Sequence, residues 1–189
     1  MALFPDYDRY DALGLAALIA QGEVTPLDLW ETAIDRIERL DPHYRALSHK
    51  AYDYGRDAIA AGLPPGPFQG VPFLIKDLGL WCEGLPSTMG TRAVGYNFLA
   101  PYDNELTKRY KQAGLVIMGS TTSPEFGLSY NTSSALTGQS YNPWHRAMNM
   151  GGLQRGGTIA VSSRMIPLAH GSDGGGPCGY RRPVVAPLP

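Results

Sequence analysis

Val71-Pro72-Phe73-Leu74-Ile75-Lys76-Asp77 decides the architecture. Val71 to Ile75 is a short apolar run, partly β-branched, that stops at a charged pair. Such a run predicts a buried strand delivering a lysine at its carboxyl end. Downstream, Asp103 stands where a helix N-cap belongs, Leu106, Tyr110 and Ala113 share a face of the helix after it, and Gly114 ends that helix. Leu115 to Met118 then forms a second strand. Strand, helix, strand at this spacing predicts an α/β fold, a largely parallel sheet covered by helices. In such sheets ligands bind beyond the carboxyl ends of the strands, where Lys76 falls.

Upstream, residues 11–21, DALGLAALIAQ, carry enough apolar side chains for a short buried helix, with Asp11 to cap it and Gly22 to stop it. The next helix has a stronger signal. Thr25 is placed as N-cap and Pro26 as first helical residue, and Leu27, Trp30, Ile34 and Ile37 fall on one face before Asp41-Pro42 closes the pattern. Asp35 and Arg39 form an i, i+4 pair on the solvated face. A third helix is expected over about residues 50–61, weakened by Gly55, and LPPGP at 63–67 is a loop.

The chain as a whole sets limits on function. Its 189 residues, 43% hydrophobic, suffice for one sizeable core or two small ones. Lysine and arginine number 16 against 17 acidic residues, so the net charge of -1 offers no field to recruit nucleic acid or an anionic membrane. No apolar run approaches membrane-spanning length and MALFPDYDRY lacks the build of a signal peptide, which predicts a cytoplasmic protein. Cys82 and Cys178 are expected to be reduced. His43, His49, His145 and His170 are scattered rather than set at metal-ligand spacing, so neither a metal nor a cofactor is expected.

The other unusual stretch is 151–177, GGLQRGGTIAVSSRMIPLAHGSDGGGP. Without a Cβ, Gly174, Gly175 and Gly176 can aim successive N–H groups at one point, a nest for an anion or a developing oxyanion. A flexible surface loop has the same composition. A P-loop is excluded, because no lysine and hydroxyl follow the glycines. Ser172 and Asp173 fit turn residues, Trp81 and Trp144 fit core or pocket wall, and His170 receives no role. Asp77 could be a salt-bridge partner that keeps Lys76 charged, which would oppose base chemistry.

GVPFLIKDL at 70–78, NPW at 142–144, the glycine pair 151–152 and MIPLAHGSDGGG at 165–176 occur in the order and spacing of the amidase signature family. From about residue 10 to 176 the chain resembles that family. CEGLPSTMGTR, DNEL and TTSPEFG look most like the branch containing the 6-aminohexanoate cyclic dimer hydrolases. The resemblance implies an α/β/α fold with a twisted mixed sheet flanked by helices, and a serine, cis-serine, lysine triad that hydrolyses small-molecule carboxylic amides. Lys76 matches the family's lysine. Asp173 with Gly174, Gly175 and Gly176 matches the loop into the nucleophile. The chemistry is sound: a desolvated lysine can act as a neutral base, relay a proton through one hydroxyl to activate another, and leave backbone N–H groups to hold the oxyanion.

Both hydroxyls are missing. Leu153 occupies the position of the bridging cis-serine, and Pro177 that of the nucleophile. Proline also removes an N–H from the oxyanion cradle. Residues 153–164 have the family's length yet hardly any of its residues. Leu-Gln-Arg-Gly can be encoded by CTC CAG CGG GGG, which one base later gives Ser-Ser-Gly. Ser162-Ser163-Arg164 can likewise give Ala-Ala-Gly, and Pro177 to Tyr180 can give Ser-Leu-Arg-Leu. Residues 153–164 and 177–189 are therefore expected to be frame-shifted translation of an ordinary amidase gene. The proline-rich end RRPVVAPLP has no periodicity, so residues 1–176 are expected to be an N-terminal part of an amidase domain and 177–189 a tail outside the family pattern. Taken literally, the sequence predicts an inactive amidase. The alternative is a non-catalytic protein that uses the glycine nest to bind an anion.

Overall fold

The computed structural model describes residues 3–129, 131–145 and 155–172. Helix α1 spans Ala12–Ala20, α2 Pro26–Tyr44, α3 Tyr52–Ala61, α4 Glu105–Gln112 and α5 Arg155–Ser162. The strands are β1 (Leu47–Lys50), β2 (Pro72–Lys76), β3 (Val116–Thr121), β4 (Ser133–Ser134), β5 (Gly138–Gln139) and β6 (Leu168–Ala169). β4 and β5 form a small antiparallel pair, and the main sheet has the order β1-β3-β2-β6. β2 runs parallel to β3 and to β6, and β1 is antiparallel to β3. The sheet is mixed, as the family resemblance implies.

Every residue of β2 and of β3 is buried, which explains why both read as continuous apolar runs rather than alternating ones. Helix α2 supplies Leu29, Trp30, Ala33 and Ile37 to the core, each fully buried. Its start is fixed by a capping box: Thr25 Oγ1 accepts from Asp28 N at 3.1 Å, and Asp28 Oδ2 accepts from Thr25 N at 3.0 Å. Asp11 caps α1 by accepting from Gly14 N at 2.8 Å.

Several local expectations are corrected. Helix α2 does not stop at Asp41-Pro42 but runs on to Tyr44, carrying Pro42 in its last turn. Asp41 instead holds the exit of the helix, its Oδ1 accepting from Ala46 N at 2.7 Å and Leu47 N at 3.0 Å. The cap of α4 is Asn104, which accepts from Thr107 N at 3.1 Å. Asp103, its neighbour, accepts from Glu83 N and pairs with Lys111. Thr107 is the fully buried residue of α4; of the expected face Tyr110 is half-buried against the core, while Leu106 is exposed. Helix α3 runs through Gly55. A Cβ there would lie 2.0 Å from Cη2 of Trp30, so the glycine lets α3 close against the indole of α2. Cys82 is a free, buried thiol bonded to Tyr54 Oη at 3.2 Å, and Cys178 lies outside the described residues.

Candidate active site

Because β2, β3 and β6 are mutually parallel, their carboxyl ends meet at one end of the sheet. β2 lies between the other two, and Lys76 is its last residue, in register with Thr121 of β3. The lysine is only 4% exposed. Its amine donates to the backbone oxygen of Ser172 at 2.8 Å and meets Ser172 Oγ at 3.2 Å. Ser172 is thus more than a turn residue. The segment after β6 brings it back, across 96 positions of sequence, to the end of the lysine strand. No local pattern marks this contact.

The adjacent carboxylate is otherwise engaged. Asp77 accepts from Thr88 N at 2.6 Å and from Thr88 Oγ1, and its own N–H reaches Thr121 O at 3.2 Å. Burial pushes its carboxyl above the ordinary range, against the opposing hydrogen bonds from Thr88. Asp77 therefore belongs to the loop that leaves β2. Phe126 N donates to Met89 O at 2.9 Å, which joins that loop to the one leaving β3.

Helix α5 closes the same end of the sheet. A Cβ on Gly156 would stand 2.5 Å from Thr122 N and 2.6 Å from Ala46 O, so the first turn of α5 touches the backbone beyond β3 only because that residue is glycine. Ser162 ends α5 and Ser163 follows it, both buried, each returning its hydroxyl to Ile159 O. Both hydroxyls are thus turned back into the helix. Ser120 Oγ and Thr121 Oγ1, buried at the end of β3, have no hydrogen-bond partner among the described residues. Thr121 stands in register with Lys76 and Ser120 with Ile75, a placement that only the strand register reveals.

His170 follows β6, 8% exposed, its N–H bonded to Leu74 O at 2.8 Å and its Nδ1 to Tyr110 Oη at 2.9 Å. Burial, and secondarily the positive charge of Lys76, holds the imidazole below its ordinary value, so it is neutral at neutral pH. Trp81 packs against Phe98 and Tyr102 rather than the lysine, and Trp144 is 40% exposed. Leu153, Asp173, Gly174, Gly175, Gly176 and Pro177 lie outside the described residues. Among the described residues no group of three or more His, Cys, Asp or Glu could hold a metal ion, and no helix is long and apolar enough to cross a membrane.

A mixed sheet packed with helices, with a buried lysine at the carboxyl end of a central parallel strand, defines an α/β protein. The sequence profile of the Amidase family matches residues 28–178, and the chain belongs to that family. Among curated proteins it is 34% identical over 178 residues to a glutamyl-tRNA(Gln) amidotransferase subunit from Salinispora tropica, covering 90% of this chain and 36% of that one. It is 32% identical over 169 residues to the 6-aminohexanoate-cyclic-dimer hydrolase of Paenarthrobacter ureafaciens, covering 88% and 34%. Solved structures agree. A substrate complex of 6-aminohexanoate cyclic dimer hydrolase superposes with a TM-score of 0.83 at 29% identity, covering 89% of this chain and 34% of the other. A bacterial aryl acylamidase of the amidase signature family superposes at 0.77 with 30% identity, covering 85% and 34%. The chain thus spans about a third of the length of its relatives.

Proposed function

We propose that residues 1–176 are the N-terminal part of an amidase domain whose complete form hydrolyses small-molecule carboxylic amides in the cytoplasm, with Lys76 as the base. The observation that carries this is the burial of Lys76 at the carboxyl end of β2, with its amine at Ser172, in a chain of the Amidase family. In the proposed reaction the neutral amine takes a proton through a bridging hydroxyl, the second hydroxyl attacks the amide carbon, and the proton passes to the departing amine as the C–N bond breaks. Water then cleaves the resulting acyl ester to release the acid and restore the hydroxyl. The bridging hydroxyl belongs at position 153 and the nucleophile at 177. The N–H groups of Gly174, Gly175 and Gly176, with Asp173 steadying their loop, would hold the oxyanion.

Leu153 and Pro177 carry no hydroxyl, so this chain as written is proposed not to turn over. Removing a serine nucleophile costs about a million-fold in turnover in a comparable hydrolase. Frame displacement over 153–164 and 177–189 accounts for both losses together, and the coding DNA tests it: no serine in a neighbouring frame at either codon would remove the idea. The functional test carries Leu153→Ser and Pro177→Ser in a chain extended with a relative's downstream region, assayed on linear and cyclic amides. Hydrolysis that disappears with Lys76→Met is the expected result. A soluble, folded extended enzyme that cleaves none of them would overturn the assignment.

A further inference from the structure

We propose that His170, held by Tyr110, is the positioning residue for Lys76. It fixes residues 170–172 against the end of β2 so that Ser172 meets the lysine amine, and this rests on the base role proposed above. β6 is short: Phe73↔Leu168 and Leu74↔Ala169 are the pairs that join it to β2. Two pairs make a weak anchor for a segment that must place a serine within hydrogen-bond reach of a buried cation. His170 supplies what the ladder lacks. Its N–H continues the ladder to Leu74 O at 2.8 Å, and its ring is tied sideways to Tyr110 Oη at 2.9 Å.

Tyr110 is itself anchored to the lysine strand. Its ring lies 4.8 Å from that of Phe73 in β2 and meets the His170 ring nearly edge-on, 5.8 Å away at 71°. One side chain of α4 thus grips both β2 and the residue after β6. From α5, a Cβ added to Gly157 would stand 3.0 Å from His170 O, so the carbonyl is packed on that side as well. Two residues later comes the oxygen pair of Ser172 that receives the lysine. The imidazole is well suited to this role, since burial keeps it neutral and a neutral ring can share one proton with a phenol without adding a second cation beside the amine.

The test follows acetic anhydride labelling of each lysine by mass spectrometry across a pH series, on the full chain. Lys108, exposed on α4, is the internal reference. Tyr110→Phe, which removes only a hydroxyl, and His170→Leu are expected to speed Lys76 labelling about two- to tenfold, the loss of one buried hydrogen bond, and to move its pH profile toward that of Lys108. His170→Asn places an amide where Nδ1 was and is expected to restore the wild-type profile. Wild-type labelling of Lys76 in a cooperatively unfolding Tyr110→Phe chain would overturn the positioning role, as would His170→Asn behaving like His170→Leu. Should His170→Leu fail to fold, Tyr110→Phe alone decides. A wild-type Lys76 profile that superimposes on that of Lys108 would instead sink the base assignment, so the two failures are distinguishable.

Discussion

Arg164 carries more information than its type suggests. It sits just past α5 with φ of 61°, in the left-handed region that favours glycine. Its N–H reaches Val161 O at 3.0 Å, and Met165 N reaches Ala160 O at 3.0 Å, the paired bonds of a Schellman cap with Arg164 in the glycine position. The preceding residues are equally telling. Ser162 and Ser163 are buried serines that must return their hydroxyls to Ile159 O, where alanine would have nothing to satisfy. Displacement by one base can turn these three residues into Ala-Ala-Gly for some choices of codon, and the local geometry suits that triplet better. Arg164→Gly is expected to raise stability by about 0.5–1 kcal/mol in urea unfolding, despite losing the guanidinium bond to Asp8 O. A drop in stability would mean that this bond outweighs the backbone strain, and would withdraw one support from the frame displacement.

At the scale of elements, Gly55 separates local propensity from tertiary packing. Glycine inside an exposed helix costs about 1 kcal/mol relative to alanine, so propensity alone favours Gly55→Ala. The structure reverses the sign, because the new methyl would fall within the van der Waals envelope of Trp30. The expected result is destabilisation by about 1–3 kcal/mol, read from the urea midpoint, with a change in the environment of the indole seen by fluorescence. A stabilised variant would show that α3 moves off α2 at little cost. The same contrast explains what the sequence made legible. β2 and β3 were readable because one long-range fact, complete burial, leaves a mark on every residue of the element. On α2 the expected face was right in Trp30 and Ile37, but Leu27 and Ile34 are only partly buried. The cap of α4 was misplaced by one position because Asp103 and Asn104 are both good caps, and only the claims of Lys111 and Glu83 on Asp103 decide between them. Lys76 could be singled out by its place after an apolar run. Ser172, Thr121 and the Tyr110–His170 pair could not, since each gains its meaning from strand register.

For the molecule as a whole, the buried titratable groups set a pH profile of stability. His49 and His170 are both held below 6.5, each chiefly by burial. Below pH 6.5 the unfolded chain therefore binds more protons at these sites than the folded one, and stability falls as the solution is acidified. Asp41 and Asp77 act in the opposite sense. Burial raises their folded values above 3.8, so acid relieves the cost of holding them charged. His170→Asn is expected to flatten the fall in stability just below pH 6.5, measured as urea midpoints across a pH series. An unchanged slope would show that His170 does not contribute to it.

The placing of β2 between two strands also bears on how the chain is made. Its neighbours come from residues 116–121 and 168–169, so a chain emerging from the ribosome exposes Pro72–Lys76 before either flank exists. A bare apolar ribbon of this kind is an invitation to pair with another nascent copy. Synthesis at high rate should then favour inclusion bodies, and slower translation or a chaperone that shields extended segments should recover folded material.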